Sequence, residues 1–252
     1  MISAVEQLLL PAECLLCRQL LSFRRSHRLV CDVCRHRWRA VMPPWCERCG
    51  QPGPHFGPCR VCAQWPAVLA RARSAVWLDA GARAAVHALK YGGWVRLVED
   101  LAAVVARRLP APPPDAVLVP VPLAPHRLRR RGYNQSAHLA TALAARWARS
   151  VREDLLLRAR ETATQTALTP AARVANVAGA FRARSGEREA RNEARPYRSA
   201  LRASSRALVP VLVDDVFTTG ATLAECARAL AGAGWDRVEA VTFGRAVIPD
   251  FS

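Results

Sequence analysis

The sequence predicts an α/β domain on a mainly parallel sheet, preceded by a small cysteine-rich segment. Three observations carry this. From Arg73 onward, short apolar runs alternate with stretches of helical periodicity. The apolar run Leu208 to Val213 ends in Asp214 and Asp215, then a Thr- and Gly-rich turn and a helix-like stretch. Four Cys-x2-Cys pairs fall within the 49 residues from Cys14 to Cys62.

In order, Arg73 to Leu78 reads as a short strand, and Ala80 to Lys90 and Val95 to Leu109 as helices separated by Gly92-Gly93. Pro112 to Pro114 is a turn. Ala116 to Val121 is a continuous apolar run, the pattern of a strand buried on both faces. Asn134 to Ala148 has one apolar helical face, and Leu155 to Leu157 is strand-like. Thr169 followed by Pro170 is a helix start. Leu208 to Val213 and Val238 to Phe243 are strands flanking a helix from Ala221 to Ala233. Arg184 to Arg206, with seven Arg and three Glu and almost no large apolar side chain, reads as a mobile basic insertion. The division expected is a Cys-rich segment over 1–68 and an α/β domain over 69–252.

Composition limits the function classes. No apolar run approaches the roughly 20 residues of a membrane span, and Glu6 and Gln7 interrupt an N-terminus that has no basic leader. With its cysteines arranged for metal, the chain is expected in a reducing cytoplasm, without membrane insertion. The formal charge of +17 points to a polyanionic partner or a polyphosphate ligand. Eight thiolates on two Zn²⁺ would lower it to about +13. Arg outnumbers Lys so heavily that Lys90 is the only lysine, which looks like a codon preference for Arg. That lone Lys90 either serves phosphate oxygens as a compact ammonium or is a chance survivor.

Cys14-x2-Cys17 pairs most simply with Cys31-x2-Cys34, and Cys46-x2-Cys49 with Cys59-x2-Cys62, each set closing one tetrahedral zinc site; interleaved pairing is also open. The inserts of 13 and 9 residues suit zinc ribbons. Closed four-thiolate sites are structural, since they leave no open coordination position. Trp38, Trp45, Arg24 and Arg25 are expected to be exposed on the ribbons, where they could grip nucleic acid or a partner. Cys226 stands apart, in a helix core.

Asp214-Asp215-Val216-Phe217-Thr218-Thr219-Gly220-Ala221-Thr222 is the segment with most chemistry. It joins a buried strand to a helix N-terminus, whose N–H groups and dipole favour a phosphate. Gly220 permits close backbone approach, and three threonine hydroxyls add donors. The two carboxylates can meet ribose hydroxyls or help hold hydrated Mg²⁺. No Lys follows the Gly, so the loop is not a nucleotide-triphosphatase P-loop.

This string resembles the phosphoribosyl pyrophosphate motif of type I phosphoribosyltransferases. The whole chain resembles the ComF family of competence-associated proteins, on its cysteine pairs, Leu89-Lys90-Tyr91-x-Gly93, Val119-Pro120-Val121-Pro122, Arg130 to Ser136, Thr162 with Gln165, and the Asp-Asp loop. The insertion at Arg184 to Arg206 looks longer than the family's link. The resemblance implies a type I phosphoribosyltransferase fold behind zinc ribbons. It implies binding of phosphoribosyl pyrophosphate with Mg²⁺: Asp214 and Asp215 on the ribose diol, Thr218, Thr219, Gly220, Ala221 and Thr222 on the 5-phosphate, and the loop with Arg127, Arg129, Arg130 and Arg131 on pyrophosphate. Asn134 and Gln135 would cap that loop or touch substrate. Asp214, Asp215, Lys90 and Arg158 are the implied catalytic groups, and Arg158 to Asn176 the flexible loop that closes over substrate. It also implies a link to DNA uptake, with competence-machinery proteins as partners, and transfer of ribose 5-phosphate to a nitrogen acceptor. The alternative is a non-catalytic protein binding single-stranded DNA through the fold and ribbons. No base-binding hood follows Phe243, so a hood would come from the N-terminal half.

Overall fold

The computed structural model describes residues 12–22, 28–53, 57–162, 169–184 and 208–247. Among these the chain forms, in order, α1 (Asp32–Arg37), β1 (Leu69–Trp77), α2 (Ala80–Tyr91), α3 (Leu97–Arg108), β2 (Ala116–Pro120), α4 (Pro125–Arg131), α5 (Gln135–Trp147), β3 (Ser150–Val151), β4 (Leu156–Arg158), α6 (Pro170–Val177), β5 (Phe181–Ala183), β6 (Val209–Phe217), α7 (Ala221–Gly232) and β7 (Val238–Arg245). Five strands form one all-parallel sheet in the order β1-β7-β6-β2-β3, and β4 and β5 form a separate antiparallel pair. The predicted α/β fold class therefore holds.

The continuous apolar runs are buried on both faces because the sheet is covered on both. Successive side chains alternate. Leu118, Val211, Val213 and Phe243 join one core with α2, α3 and α5. Val119, Leu212, Phe217 and Ala240 join the other with α7 and the β4-β5 pair. Cys226 is buried in that second core, as expected.

Helix starts follow local chemistry. Asp79 Oδ1 accepts from the Ala82 N–H at 2.9 Å, Asn134 Oδ1 from Ser136 at 3.1 Å, and Thr169 Oγ1 from Ala172 at 3.3 Å. The structure also differs from the sequence reading. The strand expected to stop at Val213 runs on to Phe217, since Asp214 and Val216 still pair with Thr242 and Gly244. The Arg-rich segment expected as a loop is the helix α4, started by Pro125 and stopped by Gly132 at φ 82°. Strands β3 and β5 are too short, at two and three residues, to show a periodicity. Residues 185–207, Arg24, Arg25 and Gln165 lie outside the described residues.

The two ribbons pack on opposite faces of the sheet. Cys14, Cys34 and Trp38 belong to the α3-side core, and Cys49, Cys62 and Trp65 to the α7-side core. On the first face, Asp100 of α3 accepts from the Leu29 and Val30 N–H groups at 3.0 and 3.2 Å and faces Arg35 at 3.4 Å. Ala40 bridges Val76 of β1. Trp38 is not the exposed ribbon side chain the sequence suggested: it is 1 % exposed, with its ring 5.1 Å from that of Phe243. Docking onto the sheet converted a potential contact residue into core. Trp45 is half-buried, with the Arg73 guanidinium 5.4 Å from its ring centre.

Candidate functional site

In this sheet β2 is followed by β3 on one side, while β6 is followed by β7 on the other. The carboxyl ends of β2 and β6 thus form a topological switch point, where open α/β sheets bind ligands. A cleft of about 730 Å³ lies there. Asp214, Asp215, Thr218, Thr219 and Thr222 line it from the β6–α7 side, and Arg127, Arg130 and Arg131 from α4. Lys90 of α2, Arg158 of β4 and Arg173 of α6 also reach it. Most of the ligand-site residues singled out from sequence line this cleft, Gln135 among them, while Asn134 and Thr162 do not. Nor does Arg129: it is exposed on α4 and absent from the lining. Gly220 and Ala221 lie beneath the threonines, as the N-cap and first residue of α7.

The carboxylate pair sits in a dense network. Lys90 Nζ lies 2.6 Å from Asp215 Oδ2, and Gln135 Nε2 donates to Asp215 Oδ1 at 3.4 Å. Ser136 Oγ and the Asp215 N–H each donate to Asp214 Oδ1 at 2.9 Å. Asn134 Nδ2 donates to the Val121 carbonyl at 3.1 Å, fixing the start of α5 against β2. Arg131 donates to Gln135 Oε1 and stacks 5.5 Å from the Tyr91 ring centre. Gln135 thus does more than cap a turn, and Ser136, given no separate role from the sequence, holds Asp214. Their role was not legible because 78 to 80 residues separate them from their carboxylate partners.

The two carboxylates differ in charge. Burial raises the Asp214 carboxyl, and the neighbouring Asp215 charge adds to this, to about 7. Burial would raise Asp215 too, but Lys90 holds it below the usual carboxylate range. Above pH 7 the ligand-free protein therefore carries a disfavoured second charge. An unfolded Asp ionises near pH 4, so stability falls as pH rises from there to about 7, and the full cost is present above. Solvent reaching this part-exposed group reduces that cost to about 1 kcal/mol. Asp214→Asn keeps an oxygen for both donors. It is expected to raise the Tm of the ligand-free protein by about 2–4 °C at about pH 8, and by less at about pH 5.5. Calorimetric melting checks this; a lower Tm at pH 8 contradicts it.

Helix α7 starts differently from α2, α5 and α6. Gly220, at φ 76°, gives it no side-chain cap. Its first turn contributes backbone donors to the cleft edge where Thr218, Thr219 and Thr222 stand. At the far end, Arg127 donates to the Thr162 carbonyl at 3.0 Å and Arg158 to Thr162 Oγ1. Arg83, Val86, His87 and Tyr91 of α2, with Leu78, Ala246 and Val247, also line the cleft, and Tyr91 is 59 % exposed. The His87 and Tyr91 rings, 4.8 Å apart between centres, both line this part of the cleft.

The eight cysteines divide as the simplest pairing expected, Cys14, Cys17, Cys31 and Cys34 in one set and Cys46, Cys49, Cys59 and Cys62 in the other, each with its sulfurs within 4.8 Å of one another. Sγ–Sγ distances of 3.7 Å for Cys17–Cys31 and 3.6 Å for Cys46–Cys62 match the ~3.8 Å edge of a tetrahedral zinc–thiolate site. Without a cation the sets are frustrated. Burial raises Cys14 and Cys46, yet backbone N–H groups bring both down to about 7. Burial pushes Cys34 and Cys49 upward and Cys62 to about 12, and neighbouring thiolates add to it. A divalent ion removes that repulsion, so the residues fit two zinc ions.

Two zinc ribbons clasped to a parallel α/β domain, with an Asp-Asp-x-x-Thr-Thr-Gly loop at its switch point, define a zinc-ribbon protein of the open parallel α/β class. The double zinc ribbon domain family matches residues 5–63. Over 230 residues the chain is 33 % identical to the DNA utilization protein YhgH of Salmonella typhi, covering 88 % of this chain and 92 % of that protein. The chain belongs to this ComF-like family. It is also 31 % identical over 231 residues to the Escherichia coli K12 protein of the same name, with the same coverage. To Competence protein F of Haemophilus influenzae it is 34 % identical over 134 residues, 53 % of this chain and 51 % of that one. Among the described residues, no helix is long and apolar enough to cross a membrane.

Proposed function

We propose that the cleft binds phosphoribosyl pyrophosphate with Mg²⁺, and that the protein serves DNA uptake or use, as the names of its relatives suggest for them. One observation carries the ligand reading: the acidic pair stands between the N-terminus of a helix whose N-cap, Gly220, has no side chain and a cationic helix, in a single cleft. A sugar bearing a phosphate at one end and pyrophosphate at the other has that charge pattern. Thr218, Thr219, Thr222 and the α7 N-terminus would take the 5-phosphate. Asp215, kept ionised by Lys90, and Asp214 would accept from the ribose diol. Arg127, Arg130 and Arg131 would face the pyrophosphate. Mg²⁺ arriving with the ligand supplies charge neutralisation.

The same layout serves transfer of ribose 5-phosphate to a nitrogen acceptor, by positioning and charge stabilisation more than by proton transfer. Arg158 and Arg173 line the cleft; Arg158 would follow the developing charge, and the segment from Arg158 to Asn176, of which 163–168 lie outside the described residues, would be the closing loop the resemblance implies. Calorimetry with phosphoribosyl pyrophosphate and Mg²⁺ tests the reading. The wild type is expected to bind, and the Asp214→Asn/Asp215→Asn double variant to lose about 100-fold in affinity, the loss of two charge-assisted contacts. Equal affinity of the two proteins refutes the assignment. Binding of a single-stranded oligonucleotide, favoured by the +17 charge, should survive that double variant and weaken steeply with salt.

A further inference from the structure

Behind the phosphate loop lies the second zinc ribbon. The Cys59–Cys62 knuckle is a tight turn: the Cys62 and Ala63 N–H groups donate to the Cys59 carbonyl at 3.2 and 3.0 Å, and the Trp65 N–H donates to Cys62 at 3.1 Å. Trp65 therefore leaves the zinc knuckle in a set direction. Its buried indole lies against Gly220, where a Cβ would stand 2.9 Å from Trp65 Cε2 and 3.1 Å from Phe217 Cε2. Gly220 is also at φ 76°, so the loop residue is bare both for its backbone angle and for the indole below it.

Two buried or half-buried arginines complete the joint. Arg48, inside the ribbon, donates to the Cys62, Trp65 and Leu69 carbonyls at 3.1, 3.2 and 3.1 Å. Arg245, at the end of β7 and 1 % exposed, donates to the Cys49 carbonyl at 2.9 Å and to Gln51 Oε1 at 2.6 Å, with its guanidinium 4.2 Å from the Phe217 ring centre. Phe217 is the last residue of β6 before the loop, and its ring centre is 5.9 Å from that of Trp65. Metal ligands, indole, Phe217 and Gly220 thus form one packed chain. Among the described residues, none of the first ribbon takes part in it, because that ribbon packs into the core on the other face of the sheet.

We propose that the second zinc site, Cys46, Cys49, Cys59 and Cys62, positions the phosphate loop through Trp65, so that zinc at this site and ligand in the cleft are thermodynamically coupled. The inference rests on reading Thr218 to Thr222 as a phosphate loop. Trp65 and Arg245 are positioning residues, touching no ligand. Coupling of this kind is reciprocal: whatever zinc does for ligand affinity, ligand does for zinc affinity.

The test uses the full-length zinc-loaded protein. Trp65→Leu is expected to keep two zinc per chain yet to speed amide exchange over Phe217 to Ala224 by about 10-fold, with Trp65→Phe intermediate. Unchanged exchange overturns the proposal whether or not phosphoribosyl pyrophosphate binds, so its failure is separable from failure of the ligand reading. With that compound and Mg²⁺, Trp65→Leu should bind about 10-fold more weakly. Gly220→Ala probes the joint from the loop side and guards against misfolding of the Trp65 variant. It should accelerate chelator capture of zinc from the second site and leave the first unchanged. Cys17→Ser, which cripples only the first site, identifies the two phases. Equal effects on both sites, or none on either, refute the coupling.

Discussion

Replacing Lys90 by methionine is expected to leave Asp215, only 2 % exposed, buried without its cation. Breaking a buried ion pair by removing one partner costs about 3–5 kcal/mol. Lys90 retains some exposure, so the lower end applies, about 3 kcal/mol. In a chain of this size that lowers Tm by about 6–12 °C. The Asp215 carboxyl should rise toward neutrality once the ammonium that holds it down is gone. Affinity for phosphoribosyl pyrophosphate should fall by about 100-fold, because both a cation and an ionised diol acceptor are lost. The Lys90→Met/Asp215→Asn double variant separates the effects. It removes the buried charge, so it should recover most of the Tm while remaining unable to bind. A Lys90→Met protein as stable as wild type would show that the pair is not ionised as described. Lys90→Arg should not restore binding, since a planar guanidinium cannot occupy the space of a compact ammonium 2.6 Å from Asp215 Oδ2.

Stripping the metal is expected to have a still larger effect. Structural zinc in small ribbons contributes an apparent ~10–16 kcal/mol at neutral pH, as much as the whole net stability of an ordinary domain. Here the ribbons are also walls of the two cores, through Cys14, Cys34 and Trp38 on one face and Cys49, Cys62 and Trp65 on the other. Metal analysis of the purified protein should find two zinc per chain. Chelation under reducing conditions should lower Tm by about 15 °C or more and expose Trp38, read as a shift in tryptophan emission. Zinc-free protein with an unchanged melting curve would show that the thiols hold the ribbons unaided. Lowering the pH should release zinc as the thiolates protonate, so this loss of stability runs opposite in sign to the cost carried by Asp214, which grows as pH rises to about 7.

Much of the molecule was legible because its signals are local. A Cys-x2-Cys spacing places two sulfurs on one ion whatever surrounds it. Thr169-Pro170 starts a helix by its own hydrogen bond and fixed φ. The run from Leu208 to Val213, then the acidic pair, then the Thr-Gly turn, carries a strand, two adjacent carboxylates and a helix start in contiguous residues. Lys90 stood out by its rarity in an Arg-rich chain and by its place in the Leu89-Lys90-Tyr91-x-Gly93 string. What failed was also physical. Trp38 looked like a contact residue because a ribbon alone is too small to bury it, yet it is core once the ribbon docks against Phe243. The Arg-rich segment after Val121 carries no apolar face, and α4 is nevertheless helical through its Pro125 start and Gly132 stop.

By itself, then, the sequence determined the α/β class, the zinc ribbons and the acidic Thr-Gly loop, because apolar periodicity, Cys-x2-Cys spacing and turn chemistry are each written in short stretches of residues. Only the tertiary structure decided that Lys90 meets Asp215 across 125 positions of chain, that Gln135 and Ser136 hold the acidic pair, and that Trp65 underlies Gly220. The reason is the sheet order. Placing β6 between β2 and β7 brings the ends of distant segments to one edge, and no local pattern in a sequence encodes which ends will meet.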